Sequence, residues 1–218
     1  MKDKALTNVW AVNIDQRHSR READRVAEAL RFLETLPGIA LAFERTAGDE
    51  VQGLLLHGSA IVDLLVGLAR LDAAHRLEEP GWRIGIGLGD VEDGGAPSTR
   101  AARGTAYLAA RQAIEEASRA PAHLALRTAD PAAAAAGSQA ETALILLRTL
   151  LSRRTGKGWE VVDAMAGEAT QADVAVKLGV SESAVSQRLA RAGWRESVRG
   201  AELAVSLLTA VQCGQEPR

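Results

Sequence analysis

Residues 170–189, TQADVAVKLGVSESAVSQRL, decide how the C-terminal half of the chain is read. Thr170 is a good helix N-cap, and Val174, Ala175 and Leu178 follow as one apolar face at helical spacing. Gly179 can take positive φ and end that helix in a tight turn. Val180 plugs the corner, Ser181 caps a second helix, and Val185 and Leu189 give it a narrow buried stripe. The small Ala175 lets the two helices cross closely. The pattern predicts a helix-turn-helix. Its second helix keeps Glu182, Ser183, Ser186, Gln187 and Arg191 outward, side chains of the kind that reach base edges and phosphates in a major groove. Arg188 joins Arg191 as a phosphate contact, and Thr170 and Ser181 complete the DNA-facing set. The alternative is an ordinary helical hairpin.

Around this stretch the chain is helical: residues 141–151, 159–165 and 194–211 carry helical periodicity. Val198, Leu203, Val205, Leu207 and Leu208 exceed what a three-helix unit covers, so part of this helix, or the sheet of the N-terminal half, is expected to form a two-fold homodimer interface that pairs two recognition helices. DPAAAAAGSQ, residues 130–139, begins a linker helix, because alanine is the best helix former. Arg153, Arg154 and Lys157 form a basic run just before the helical pair, suited to phosphate contact or to a solvated linker.

A chain of 218 residues holds one large domain or two small ones, and its net charge of −2 excludes unspecific coating of nucleic acid. Any basic patch must be local. One cysteine, Cys213, leaves no disulfide framework or thiolate metal site, which fits a reducing cytoplasm. Aromatics at 3% and abundant alanine point to a GC-rich bacterial genome. No signal peptide is legible, and Gly, His, Ser and Asp interrupt the apolar stretch LLLHGSAIVDLLVGLA before membrane-spanning length. A cytoplasmic location without membrane contact follows. The four histidines form no zinc pair, and no G-x-S-x-G elbow is present. Gly85, Gly87 and Gly89 lack dinucleotide spacing; alternating on a strand, they let a helix approach the sheet.

The N-terminal half reads strand 8–14, helix 20–36, strands 39–43 and 51–56 around the turn TAGDE, helix 59–77, strand 82–88, helix 99–118 and strand 123–127. The first six form a split βαβ, ferredoxin-like unit. The fold class is therefore α+β, with a boundary near Ala129: residues 1–129 a sheet domain, residues 130–218 a linker helix and an all-α helix-turn-helix domain. In a split βαβ unit, the end of the first strand and the hairpin after the second lie on one sheet edge. Asp15 would thus approach Asp49 and Glu50, as an oxygen-ligated Mg²⁺ requires when nucleotide phosphates supply further ligands. Surface turns rich in aspartate offer the plainer explanation.

Asp15-Gln16-Arg17-His18-Ser19-Arg20 fits D-x-x-x-S-R, and residues 48–55, GDEVQGLL, resemble a G-D-E-F-Q-G-L-L signature. With Arg83-Ile84-Gly85-Ile86-Gly87 and residues 104–111, GTAYLAAR, the chain resembles the SatD family over residues 7–127. That family's fold is related to class III nucleotidyl cyclases and palm-like domains. The resemblance implies Mg²⁺ on Asp15 and Asp49, and nucleotide binding at Arg83 and Arg111. The expected function is a DNA-binding transcriptional regulator whose cyclase-like domain binds a nucleotide or partner without catalysis. Two alternatives stay open: a Mg²⁺-dependent nucleotidyl cyclase or nucleotidyltransferase with an appended helix-turn-helix, and an assembly protein using both domains for protein contacts.

Overall fold

A computed structural model describes residues 5–19, 23–92, 96, 98–167 and 170–214. The fold is mixed α+β. Its strands are β1 (Leu6–Gln16), β2 (Ile39–Arg45), β3 (Glu50–Leu55), β4 (Trp82–Val91) and β5 (Leu124–Thr128). Between them lie α1 (Val26–Leu33), α2 (Ser59–Ala74) and α3 (Thr105–Ala117). After β5 come α4 (Ala134–Ser152), α5 (Gly156–Gly167), α6 (Gln171–Leu178), α7 (Glu182–Arg191) and α8 (Trp194–Gln212).

The strands form one sheet in the order β2-β3-β1-β4-β5. β3 lies between β1 and β2 and runs antiparallel to both, β4 is antiparallel to β1, and β5 is parallel to β4. Period-two alternation sorts the two faces of β1. Trp10, Val12 and Ile14 join a large cluster that also takes side chains from α1, α2, α4 and α8. Val9 and Ala11 point the other way, against Ala106, Tyr107 and Ala110 of α3.

On the α3 face, β4 presents Gly85, Gly87 and Gly89. A Cβ at Gly87 would stand 2.2 Å from the backbone nitrogen of Ala110, and one at Gly85 2.3 Å from that of Ile114. The helix backbone therefore rests directly on the strand, as the alternating glycines predict. β4 runs to Val91, past the expected end at residue 88, because α3 covers it along that length. α3 begins at Thr105 rather than 99. Gly104 has φ +152°, and a Cβ there would lie 2.1 Å from the carbonyl oxygen of Asp90, so the helix starts only beyond it.

Two further elements differ from the spacing-based expectation. α1 starts at Val26: the chain is pinned just before it, with the Arg25 amide donating to Gln16 Oε1 at 2.8 Å and the Val26 amide to Asp24 at 2.9 Å. Residues 20–22, where that helix was expected to begin, lie outside the described residues. The linker helix expected to begin within residues 130–139 starts at Ala134, after a 3-10 turn at Pro131–Ala133; as α4 it runs on through the expected helix 141–151 and crosses Gly137 unbroken. The missing Cβ there gives room to Thr128, whose methyl would otherwise be met at 2.9 Å. Beyond residue 129, α4 and α8 return to the sheet: Leu144, Leu147, Leu151, Ala204, Leu208 and Val211 share the cluster of Trp10 and Ile86. Leu208 of the apolar series on α8 is thereby buried, whereas Val198 and Leu203 stay exposed. Among the described residues no helix is long and apolar enough to cross a membrane.

Candidate nucleic-acid interface and acidic pair

α6 and α7 meet at a turn built as the residue types dictate. Thr170 Oγ1 accepts from the Asp173 amide at 3.2 Å, and Ser181 Oγ from the Ala184 amide at 3.2 Å. Each side chain thus satisfies one amide that a helix start leaves without an intrahelical partner. Gly179 takes φ +64°, and the amide of Val180 closes the turn on the carbonyl of Ala175 at 3.0 Å. Val161 and Ala164 of α5, Val174 and Ala175 of α6, and Val185 and Leu189 of α7 form a separate small core.

Burying Val185 and Leu189 turns the rest of α7 outward. Glu182, Ser183, Ser186, Gln187 and Arg191 are exposed, as are the caps Thr170 and Ser181. Arg188 is half-buried, with Glu160 of α5 at 3.9 Å. Ser183, Gln187 and Arg191, spaced by four, stand in line along one side of the helix.

One buried arginine holds this unit to the rest, and no spacing argument singles it out. Arg154 donates to the carbonyl of Ala192 at 2.9 Å and to Ser197 Oγ at 2.7 Å, and stacks on Trp159 with its carbon 4.5 Å from the ring centroid. Arg70 of α2 also approaches that ring, to 4.6 Å, and pairs with Asp163. The signal in the sequence is weak: an arginine five residues before a tryptophan.

At the far end of β1, Asp15 stands in register with Glu50 on β3 and with Arg83 on β4. Arg83 Nη1 donates to Asp15 Oδ2 at 2.5 Å. Asp49 follows Gly48, whose φ of +56° makes the hairpin turn, and lies close enough to hydrogen-bond the Asp15 carboxyl. Burial is the main cause that raises the Asp15 pKa to about 6; the charge of Asp49 adds to it, and Arg83 opposes it. Deeper on this face, Gln52 donates to Asn13 Oδ1 at 2.9 Å. Arg111 is exposed on α3, where Glu115 one turn on accepts from it at 2.8 Å. The edge thus brings Asp15, Asp49, Glu50 and Arg83 together; Arg111 pairs with Glu115 and also feels the charge of Glu50. Arg20 of the D-x-x-x-S-R motif lies outside the described residues. Among the described residues no group of three or more His, Cys, Asp or Glu side chains is arranged to hold a metal ion.

No protein-family model, curated protein or solved structure matches the chain. The α7 face offers hydroxyls, an amide and guanidinium groups on a rigid helix; the β1 edge offers two neighbouring carboxyl groups, one of which holds its proton to about pH 6.

Proposed function

We propose that the chain is a sequence-specific DNA-binding regulator of transcription, in which α6 and α7 act as a helix-turn-helix and α7 enters the major groove. The observation that carries this reading is the coincidence of two capped helices, a left-handed glycine turn, a private core and an exposed polar line on α7. A protein-binding face would more often present Leu, Tyr or Trp than Ser183, Ser186 and Gln187. In this reading Gln187 reads a base edge, and Arg188 and Arg191 contact phosphates. The test is selection of tight duplexes from a random pool, followed by affinity against salt. Gln187→Ala should relax preference at one base pair by about 1–3 kcal/mol. Arg188→Ala with Arg191→Ala should weaken every sequence and lower the salt dependence. Equal loss on all duplexes after Gln187→Ala removes its base-reading role. Failure of the intact protein to bind any duplex at low salt refutes the proposal.

The Asp15–Asp49 pair favours a second, compatible reading. The order β2-β3-β1-β4 supports a ferredoxin-like, cyclase-related unit of the SatD type, and two adjacent carboxylates suit Mg²⁺ when a nucleotide supplies further oxygens. Asp15 and Asp49 would hold the ion, which would neutralise phosphate charge there. Arg83 donates to Asp15, Arg111 pairs with Glu115 on the exposed side of α3, and in this reading the unit binds a nucleotide without turnover. A Mg²⁺ complex of ATP or GTP should raise the thermal midpoint by mass action, and Asp49→Asn should abolish the rise. Cyclic nucleotide formed by the wild type and lost in Asp49→Asn would instead establish an enzyme.

A further inference from the structure

Beside the proposed reading helix lies a concavity that joins the basic run before α5 to the end of α7, a convergence the sequence does not announce. Arg153 follows the end of α4; Thr155, Lys157 and Gly158 lie at the start of α5; Arg188, Arg191 and Ala192 lie at the end of α7. Together they line a pocket of about 400 Å³. Four of the seven lining residues are cations, and none is acidic. Among the described residues Arg153, Lys157 and Arg191 have no carboxylate partner, and Arg188 reaches Glu160 only at 3.9 Å. A chain of net charge −2 has here gathered like charges from three elements into one hollow. Such crowding opposes folding unless something else imposes it or an anion relieves it.

Arg154 imposes it. Its side chain, 5% exposed, fixes the start of α5 against the carbonyl oxygens of Ala192 and Gly193 and against Ser197. Gly158 lets the two walls approach, since a Cβ there would stand 3.3 Å from that of Ala192. Thr155 Oγ1 already accepts from the Gly158 amide at 3.3 Å. The hollow is therefore formed before any ligand arrives. It also opens beside the polar line of α7, because Arg191 belongs to both.

We propose that this pocket seats a phosphate group, and that its occupant is a backbone phosphate of the duplex that α7 reads. The assignment of the occupant rests on the DNA reading above; the seat itself does not. Phosphate is the chemistry that fits: a tetrahedral anion offers oxygens in several directions, to guanidinium forks from Arg153, Arg188 and Arg191 and to the ammonium of Lys157. The seat carries no sequence information. It sets how far along the groove α7 lies, so that Gln187 meets a base edge.

Two measurements on the full chain test this, using Arg153→Ala with Lys157→Ala; both side chains are exposed and leave the α7 residues intact. An unchanged thermal midpoint certifies the fold. In the first, duplex affinity is followed against salt. The double variant should bind every sequence about tenfold more weakly, with the slope of log affinity against log salt shallower by about one, as when one phosphate fewer is neutralised. In the second, amide NMR follows a titration with inorganic pyrophosphate. Gly156, Lys157 and Gly158 should shift in the wild type, and residues 156–158 should stay still in the variant. Pyrophosphate shifts in a protein that binds no duplex would keep the seat, assign it to a free phosphoryl ligand and refute the DNA reading. Wild-type affinity and slope in the variant, with no pyrophosphate shifts in either protein, would overturn the seat and leave the role of α7 standing.

Discussion

Asp15 concentrates most of the chemistry of the sheet edge in one side chain. Its pKa of about 6 lies above the ordinary aspartate value near 4, with burial the first cause and the charge of Asp49 the second. Between those two values the folded protein keeps a proton that the unfolded chain has already released. Stability therefore falls as pH rises from about 4 to about 6 and levels off above. Asp15→Asn removes that slope while keeping an acceptor for Arg83. Urea midpoints of variant and wild type should diverge in the variant's favour across this window and stay parallel above pH 7. Curves parallel from pH 4 upward would refute the raised pKa. The proximity of Asp15 and Asp49 was legible in the sequence because strand order alone decides it. The Arg83 contact was not, since it depends on the register of β4 against β1.

Among the elements, α3 and β4 show what a pattern can and cannot announce. Alternating glycines announced a close approach, and the helix backbone sits on them. Gly87→Ala would drive a methyl into the nitrogen of Ala110, so the helix must lift, at a cost of about 3 kcal/mol. Gly156→Ala meets nothing within 4 Å and should be neutral or slightly stabilising by helix propensity. Equal urea midpoints for the two variants would contradict this packing. The α6–α7 boundaries were legible from caps and a glycine, which act locally. The start of α3 was not, because it hangs on a contact between Gly104 and Asp90, fourteen residues apart in sequence. Helical periodicity likewise marked α4 and α8 as amphipathic without saying what covers their apolar faces.

At the scale of the molecule, α8 spans from the helical unit to the sheet. It begins beside α7 and ends where Gln212 Nε2 donates to the carbonyl oxygens of Asn8 and Leu56, at 2.7 and 2.6 Å. Leu208, Ala204 and Val211 are spent on the shared core, leaving Val198 and Leu203 exposed on α8 and Leu146 on α4. We propose that Leu203 lies in a two-fold interface of the chain, so sedimentation at micromolar concentration should give a dimer, and Leu203→Glu a monomer. A monomeric wild type bound one per site would contradict it.

The grip of Arg154 on Ala192 and Gly193 has a consequence for exchange of parts. Arg154, just past the end of α4, holds the carbonyls of Ala192 and Gly193 before α8, and a Cβ at Gly193 would meet Leu150, so the two ends of the intervening segment are neighbours. Within it Trp159 reaches the shared core, and just after it Trp194 packs on the small core of α5, α6 and α7. Segments whose ends nearly touch can be cut out, or replaced, without asking the host to rearrange. The stretch 155–192 is in that sense a cassette. A short bridge in its place would remove the Trp159 contacts and uncover Trp194, while Leu144, Leu147, Ala204 and Leu208 stay in the sheet core, and another helical unit with equally close ends could be grafted there.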